Sequence, residues 1–430
     1  MYFAEAYLAF IALFYLIGPW SWKTHDPALF WTLIILFQLA FGLGYWLRAG
    51  KTKIEPDLQE NREKHEKKIM AFLRFAVPLN VILQFLLLLR FSGSAFSAGA
   101  LWNGLMASID NPVDQYQTLR DANLLWGGRL LSRLSTLCAP VIWASFPLAF
   151  CYFGRLKFVY KLLTILMTLL YVASWLFRGQ NKGVFDLLFI GISVFLLNVG
   201  WSKWKNGKIT WKMRSAIGGL IVFGGILICY FTNNINLRLK GYTSSLENIL
   251  QTDINYDSLI MRWVPEAWQN GVIFLGSYLT QGYYAFSMVP SVDWIPMWGC
   301  GNSYFLLSNL ESLFNTDLFQ YSYQTGLEQE FGWPAMLLWH SMYTWWANDV
   351  HYIGVIVIMF LFGYLFAYTW IESLCSKNPF TIVLFSLLLI AIVYIPGNNQ
   401  VLSHPSTGMT FYVVFLLLLF TRLNERNSHE

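Results

Sequence analysis

Charge is scarce in this chain. Of 430 residues only 12% are Asp, Glu, Lys or Arg, about half the share of roughly 25% usual in soluble domains, and the deficit points to lipid as the solvent. Cysteine is scarce as well. Cys138, Cys151, Cys229, Cys300 and Cys375 show no CxxC or paired spacing, which argues against a disulfide framework or a zinc site. Most fall inside apolar runs, where a thiol acts as a small hydrophobe. No alternation over about ten residues marks the strands of a membrane β-barrel. The opening MYFAEAYLAFIALFYLIGPW has neither a basic leader nor a small-residue cleavage site, so a first spanning helix is expected there, not a signal peptide. No internal repeat of the kind that marks many transporters is visible. The net charge of +5 is dealt out between apolar runs, so it is no signal for nucleic acid.

What is present is apolar and aromatic, 56% and 18% of the chain. Runs of about 20 apolar residues recur, the length that crosses roughly 30 Å of hydrocarbon as helix. Spans are expected near 2–20, 28–47, 70–91, 131–153, 158–177, 183–200, 215–232, 353–372, 380–396 and 408–421. The fold class is therefore all-α, a polytopic transmembrane bundle of about ten spans forming one integral membrane domain over residues 1–430. Orientation follows the Lys/Arg bias of short loops. The basic loop 48–69, the GRLK stretch, WSKWKNGKITWKMR and the tail RLNERNSHE fall on one side if the spans alternate. That side is expected to be cytoplasmic, with both termini inside.

Residues 233–352 then form one external loop of about 120 residues. It is rich in Trp, Tyr and Phe, and its pieces suit the interface. Within it AWQNGVIFLGSYLTQGYYAFSM is apolar enough to dip into the bilayer, and a pair of half-spans there would preserve parity. A second outer segment covers 92–130.

The unusual residues gather on that outer side. Arg120, Arg129, Arg133, Arg178, Lys182, Arg238, Lys240 and Arg262 run against the positive-inside bias. A guanidinium suits a phosphate because it offers paired planar donors and stays charged. The alternative is pairing with local carboxylates, Asp121 beside Arg120 or Asp186 one turn after Lys182. Arg178 and Lys182 sit in WLFRGQNKGVFDLL, a tight hinge that needs turn residues but not two cations. Of six histidines, His25, His65 and His429 lie in ordinary loops, whereas His340, His351 and His404 lie on the outer face. His404 reads as an interfacial hydrogen-bonding group. An imidazole with a pKa of about 6.5 is suited to taking a proton from a hydroxyl, and His340 and His351 sit together at the mouth of a long apolar run.

The stretch HSMYTWWANDVHYIG resembles the signature of the O-antigen ligase and polymerase superfamily. There a His is followed by a small polar residue, an aromatic, an acid nine residues on and a Gly fourteen on. Here these are His340, Ser341, Tyr343, Asp349 and Gly354, with Gly363 also usual in the next helix. FRGQNKGVFDLLFI looks like the outer hairpin with an Arg-Gly step of Wzy-type repeat-unit polymerases, and TQGYYAFSMVP followed by WGCGNS is similar to their large-loop region. The match covers the C-terminal half better than the N-terminal half. One departure stands out: His351 occupies a position where the family usually has Gly.

The resemblance implies a GT-C-like integral membrane glycosyltransferase in a bacterial cytoplasmic membrane. Its donor would be an oligosaccharide on undecaprenyl pyrophosphate, its acceptor a second lipid-linked unit, and its product a surface polysaccharide. Partners would include a chain-length regulator and a flippase. His340 is the expected general base, with Asp349 orienting it or His351 substituting. Arg178, Lys182, Arg238, Lys240 and Arg262 are expected on the pyrophosphate, and Tyr283 and Tyr284 on sugar. The scheme needs no metal and no other cofactor. Three rival readings stand beside it. A ligase shares the His-bearing motif. A flippase or other transporter would carry ionisable residues in mid-span. A membrane-embedded acyltransferase would generally place its donor chemistry at the cytoplasm.

Overall fold

Twenty-residue apolar runs leave the backbone no partner in lipid except itself, so helix is the structure they dictate. The computed structural model describes residues 1–50, 58–91, 97–110, 128–206, 211–238 and 243–427. Among them the regular structure is helical, apart from one isolated bridge between Trp20 and Ile254. Among the described residues six stretches are long and apolar enough to cross a membrane: Pro27–Ala49, Arg62–Arg90, Phe158–Phe177, Lys182–Ser202, Met342–Cys375 and Pro405–Leu423. Leu130–Leu137 and Ala139–Cys151, bent by 50°, make a seventh if they act as one span, and Tyr2–Ile17, Ile217–Tyr230 and Pro379–Tyr394 are shorter apolar helices. Every apolar run read from the sequence is thus helical. The protein is a polytopic helical membrane protein.

The chain divides into two compact units. The first comprises Met1–Lys53, Tyr242–Tyr368 and Leu388–Gly408, the second Ile54–Gly241, Thr369–Leu387 and Met409–Glu430. In the first, α1 (Tyr2–Ile17) and α2 (Pro27–Ala49) pack against a later helix, Glu266–Met288. The α2 helix also crosses the run Met342–Cys375 at van der Waals contact. A Cβ on Gly363 would sit 2.0 Å from the carbonyl oxygen of Phe41, and only a small residue lets two backbones approach so closely. In the second unit α3 (Leu58–Phe91) lies along Ala139–Cys151 and Phe158–Phe177. Asn80 on α3 donates to Ser145 Oγ at 2.8 Å and accepts from Gln84 Nε2 at 3.0 Å, so these buried amides and the hydroxyl are linked to one another.

Two expectations are corrected. Residues 58–69 are not loop but the start of α3, since LQENREKHEKK is built of good helix formers with Glu and Lys four apart. Its basic side chains have work to do: Arg62 donates to the carbonyls of Cys375 and Leu374 at 2.6 and 2.5 Å, and His65 Nδ1 lies 2.9 Å from that of Ser376. They cap the orphaned end of the helix that closes at Cys375. The segment 233–352 is likewise no simple loop. Helices in it, or entering it, include Trp211–Arg238, Thr243–Leu250, Glu266–Met288, Tyr304–Phe314 and Tyr323–Phe331, and the stretch apolar enough to dip into the bilayer forms the single helix Glu266–Met288.

Candidate functional site

After α3 the helices run, in chain order, α4 (Ala98–Asp110), α5 (Gly128–Leu137), α6 (Ala139–Cys151), α7 (Phe158–Phe177), α8 (Lys182–Asn206), α9 (Trp211–Arg238), α10 (Thr243–Leu250), α11 (Glu266–Met288), α12 (Tyr304–Phe314), α13 (Tyr323–Phe331) and α14 (Met342–Cys375). The HSMYTWWANDVHYIG stretch lies in the first unit and spans the entry to α14. Its extended start is held by backbone. Trp339 N–H donates to Gln281 Oε1, Ser341 N–H to the carbonyl of Gly282, and Met342 N–H to that of Ile395, at 3.1, 3.4 and 2.9 Å. A Cβ on Gly282 would fall 2.3 Å from the carbonyl oxygens of Pro396 and Gly397, so glycine is required where these strands of chain converge.

This clamp buries His340. The residue is 1% exposed and neither ring nitrogen has a hydrogen-bond partner among the described residues. Burial pushes the imidazole down to about 3. The carbonyls of Pro334 and Ala335 oppose that shift, yet neither makes a well-aligned hydrogen bond to the ring. His340 is therefore neutral at pH 7 and a far weaker base than an exposed imidazole. Asp349, expected to orient it, does not reach it. The Asp349 carboxylate accepts from the N–H groups of Gly299 and Gly301 and from Asn302 Nδ2, at 2.8, 2.9 and 2.8 Å.

Asn348, one residue earlier and 1% exposed, completes the arrangement. Its side chain accepts from Tyr323 N–H at 2.8 Å and donates to the Gly301 carbonyl and Gln324 Oε1 at 2.9 and 3.0 Å. Its own carbonyl accepts from Trp294 Nε1 and Met297 N–H, both at 3.1 Å. Asn348 and Asp349 together fix the 294–302 loop, which carries Trp298 at 86% exposure.

His351 breaks α14. Its φ of 64° and ψ of 157° lie in a region essentially reserved for glycine, inside an otherwise continuous helix. The half-buried ring meets Trp294 edge-on at 5.4 Å and lies 4.0 Å from Tyr352. The sequence places His351 where the resembled pattern has Gly, and the backbone there has the glycine conformation.

The aromatic pair on α11 splits. Tyr284 is half-buried, stacks on Trp22 at 5.0 Å and meets Trp333 edge-on at 5.3 Å. Trp22 is anchored by donating to Thr280 Oγ1 at 2.9 Å. Tyr283 is fully buried, stacked on Tyr343 with centroids 6.2 Å apart. Tyr284 and Trp22 are thus half-buried and stacked on each other, with Tyr15 parallel to Trp22 at 6.3 Å, whereas Tyr283 is fully buried. Arg262 is exposed in a short 3-10 turn, with no ion pair among the described residues.

Arg178 and Lys182 belong to the second unit. Arg178 caps the end of α7 with its guanidinium 4.6 Å from the Trp175 ring centre. Burial lowers its pKa to about 10, which leaves it a cation at neutral pH. Lys182 pairs with the fully buried Asp186 one turn on, at 2.5 Å, the local pairing weighed from the sequence. Arg238 ends α9, and its side chain lies outside the described residues, as does Lys240 altogether. Arg120, Asp121 and the side chain of Arg129 also lie outside them, and Arg133 is exposed on α5.

Asn348, Trp22 and Gly282 were not singled out from the sequence. Asn348 alone left a signal, a polar residue beside Asp349 in an aromatic helix start. Comparison with known proteins gives no match: no family model, no curated protein and no solved structure is significantly similar to this chain.

Proposed function

We propose that the protein is a membrane glycosyltransferase that polymerises lipid-linked oligosaccharide repeat units, in a bacterial cytoplasmic membrane and on its outer face. The observation that carries the reading is His351. The resembled signature calls for Gly at that position, and the chain adopts a glycine-type backbone there while placing an imidazole on it. Strain kept at a helix break beside a fixed tryptophan loop is what a functional position looks like.

The chemistry follows. An acceptor sugar hydroxyl attacks the anomeric carbon of the donor. The new C–O bond forms as the bond to pyrophosphate breaks, and undecaprenyl pyrophosphate leaves with the electron pair. The hydroxyl proton goes to an imidazole, a step worth typically 10²–10⁴-fold. Burial of His340 shifts that role to His351, half-buried and edge-on to Trp294. The exposed Trp298 offers a ring to a sugar, with the half-buried Trp22 and Tyr284 as further candidates. Arg262, in the same unit as His351, is a cation for the departing pyrophosphate; the resemblance adds Arg178, Arg238 and Lys240 as candidates. Asp349 acts as a positioning residue through the 299–302 loop. A ligase acting on the same kind of donor is the second reading, favoured by the same His-bearing stretch.

Deleting the gene and resolving the surface polysaccharide on a gel tests the proposal. Loss of the ladder with single repeat units still attached is the expected result. Loss of all attached glycan would assign a ligase, and an unchanged ladder would overturn both.

A further inference from the structure

The polar-to-apolar transition on α3 carries a groove of about 490 Å³, lined by Glu63, Glu66, Lys67, Met70, Arg74 and Arg155 among others. Glu66 is already committed, bridged by Arg155 and by Lys377, the latter at 2.5 Å. One carboxylate between two cations leaves that wall positive. Lys67 and Arg74 are exposed and have no ion-pair partner among the described residues. Glu63, the remaining carboxylate, lies toward the polar end of the helix.

Arg74 is oddly placed for a solvated cation. It falls inside the stretch Arg62–Arg90, apolar enough to span a membrane, and shares a helical stripe with Phe75, Ile82 and Phe85, which are 64%, 57% and 44% exposed. Such a stripe of exposed apolar side chains faces lipid. Side chains on a helix lean toward its N-terminus, so Arg74 reaches back from the lipid-facing stripe toward Lys67, seven residues or roughly 10 Å away. Around the groove Lys377 lies 5.2 Å from the Trp201 ring centre, and Trp beside Lys or Arg marks the headgroup level.

We propose that this groove binds the headgroup of an anionic phospholipid, its phosphodiester held between Lys67 and Arg74 and its chains lying along Phe75, Ile82 and Phe85. A guanidinium fork and a lysine point charge fit a phosphodiester, and basic pockets beside spanning helices are where such headgroups dock. The site does not depend on the function proposed above.

Full-length protein in detergent is the material for the test. Binding of phosphatidylglycerol, phosphatidylcholine and inorganic phosphate is followed by native mass spectrometry, for the parent, for Lys67→Ala/Arg74→Ala and for Lys64→Ala/Lys68→Ala. The last pair removes the same charge from exposed positions that do not line the groove. The expected result is selective retention of phosphatidylglycerol, weakened at least about tenfold in the groove variant, as loss of charged hydrogen bonds implies, and near parent in the control. Equal weakening in both variants would reduce the effect to diffuse surface potential and overturn the proposal. Equal retention of phosphatidylcholine, or equally tight binding of inorganic phosphate, would overturn it too. If the double alanine protein fails to fold, Arg74→Gln, which keeps the stem, carries the same comparison.

Discussion

His340 predicts how this protein responds to acid. Folded, its imidazole sits at about 3, whereas in an unfolded chain it titrates near 6.5. The folded protein refuses a proton that the unfolded chain accepts. Stability is therefore full above about pH 6.5, declines as pH falls through that value, and stops declining only near pH 3. At 1.36 kcal/mol per pKa unit, the drop between pH 7.5 and pH 5 is roughly 2 kcal/mol. His340→Leu keeps the apolar surroundings and removes the titration. Unpartnered ring nitrogens vanish with it, so this variant is expected to be no less stable than the parent at pH 5. The assay is thermal unfolding in detergent at both pH values, read as the difference between parent and variant so that other titrating groups cancel. A parent that loses no more stability than His340→Leu on acidification would refute a buried, neutral His340.

Other substitutions separate the roles. His351→Gly should relieve about 1–3 kcal/mol of backbone strain, partly offset by the roughly 0.5–1 kcal/mol that glycine's added freedom costs, so melting should hold or rise while polymer synthesis fails. Asn348→Ala strands Tyr323 N–H, the Gly301 carbonyl and Gln324 and should cost on the order of 2–4 kcal/mol, with limited proteolysis opening first within 294–303. Arg178→Ala should abolish polymer at normal expression, and Arg178→Lys should rescue only part of it because lysine lacks the fork. Cysteine labelling should find position 56 cytoplasmic and position 325 external, and the opposite result would overturn the orientation.

The helices were legible because hydropathy is a one-dimensional property of the chain. Every apolar run became helix, and the shift of α3 into the basic segment could have been foreseen from its spaced Glu and Lys residues. The site was legible only as a neighbourhood. His340, Asp349 and His351 stand within twelve residues of each other, but their burial depends on distant partners. Gly282 and Ile395 bury His340 through main-chain hydrogen bonds that leave no trace in local pattern. Gly299, Gly301 and Asn302 take the Asp349 carboxylate away from the histidine. Lys182 was different, because a carboxylate four residues on is visible in the sequence, and that pairing is the one found.

The central claim is that an imidazole at the break in α14 takes the acceptor proton. Its most direct test is turnover of a defined lipid-linked repeat unit by purified protein, with His351→Gln beside His340→Gln. Glutamine keeps hydrogen bonding but accepts no proton near neutral pH. The account predicts that His351→Gln loses about 10²–10⁴-fold, roughly 3–5.5 kcal/mol of barrier at 1.36 per tenfold, while His340→Gln loses less. Turnover of His351→Gln within about threefold of the parent, far below general-base magnitudes, would contradict it.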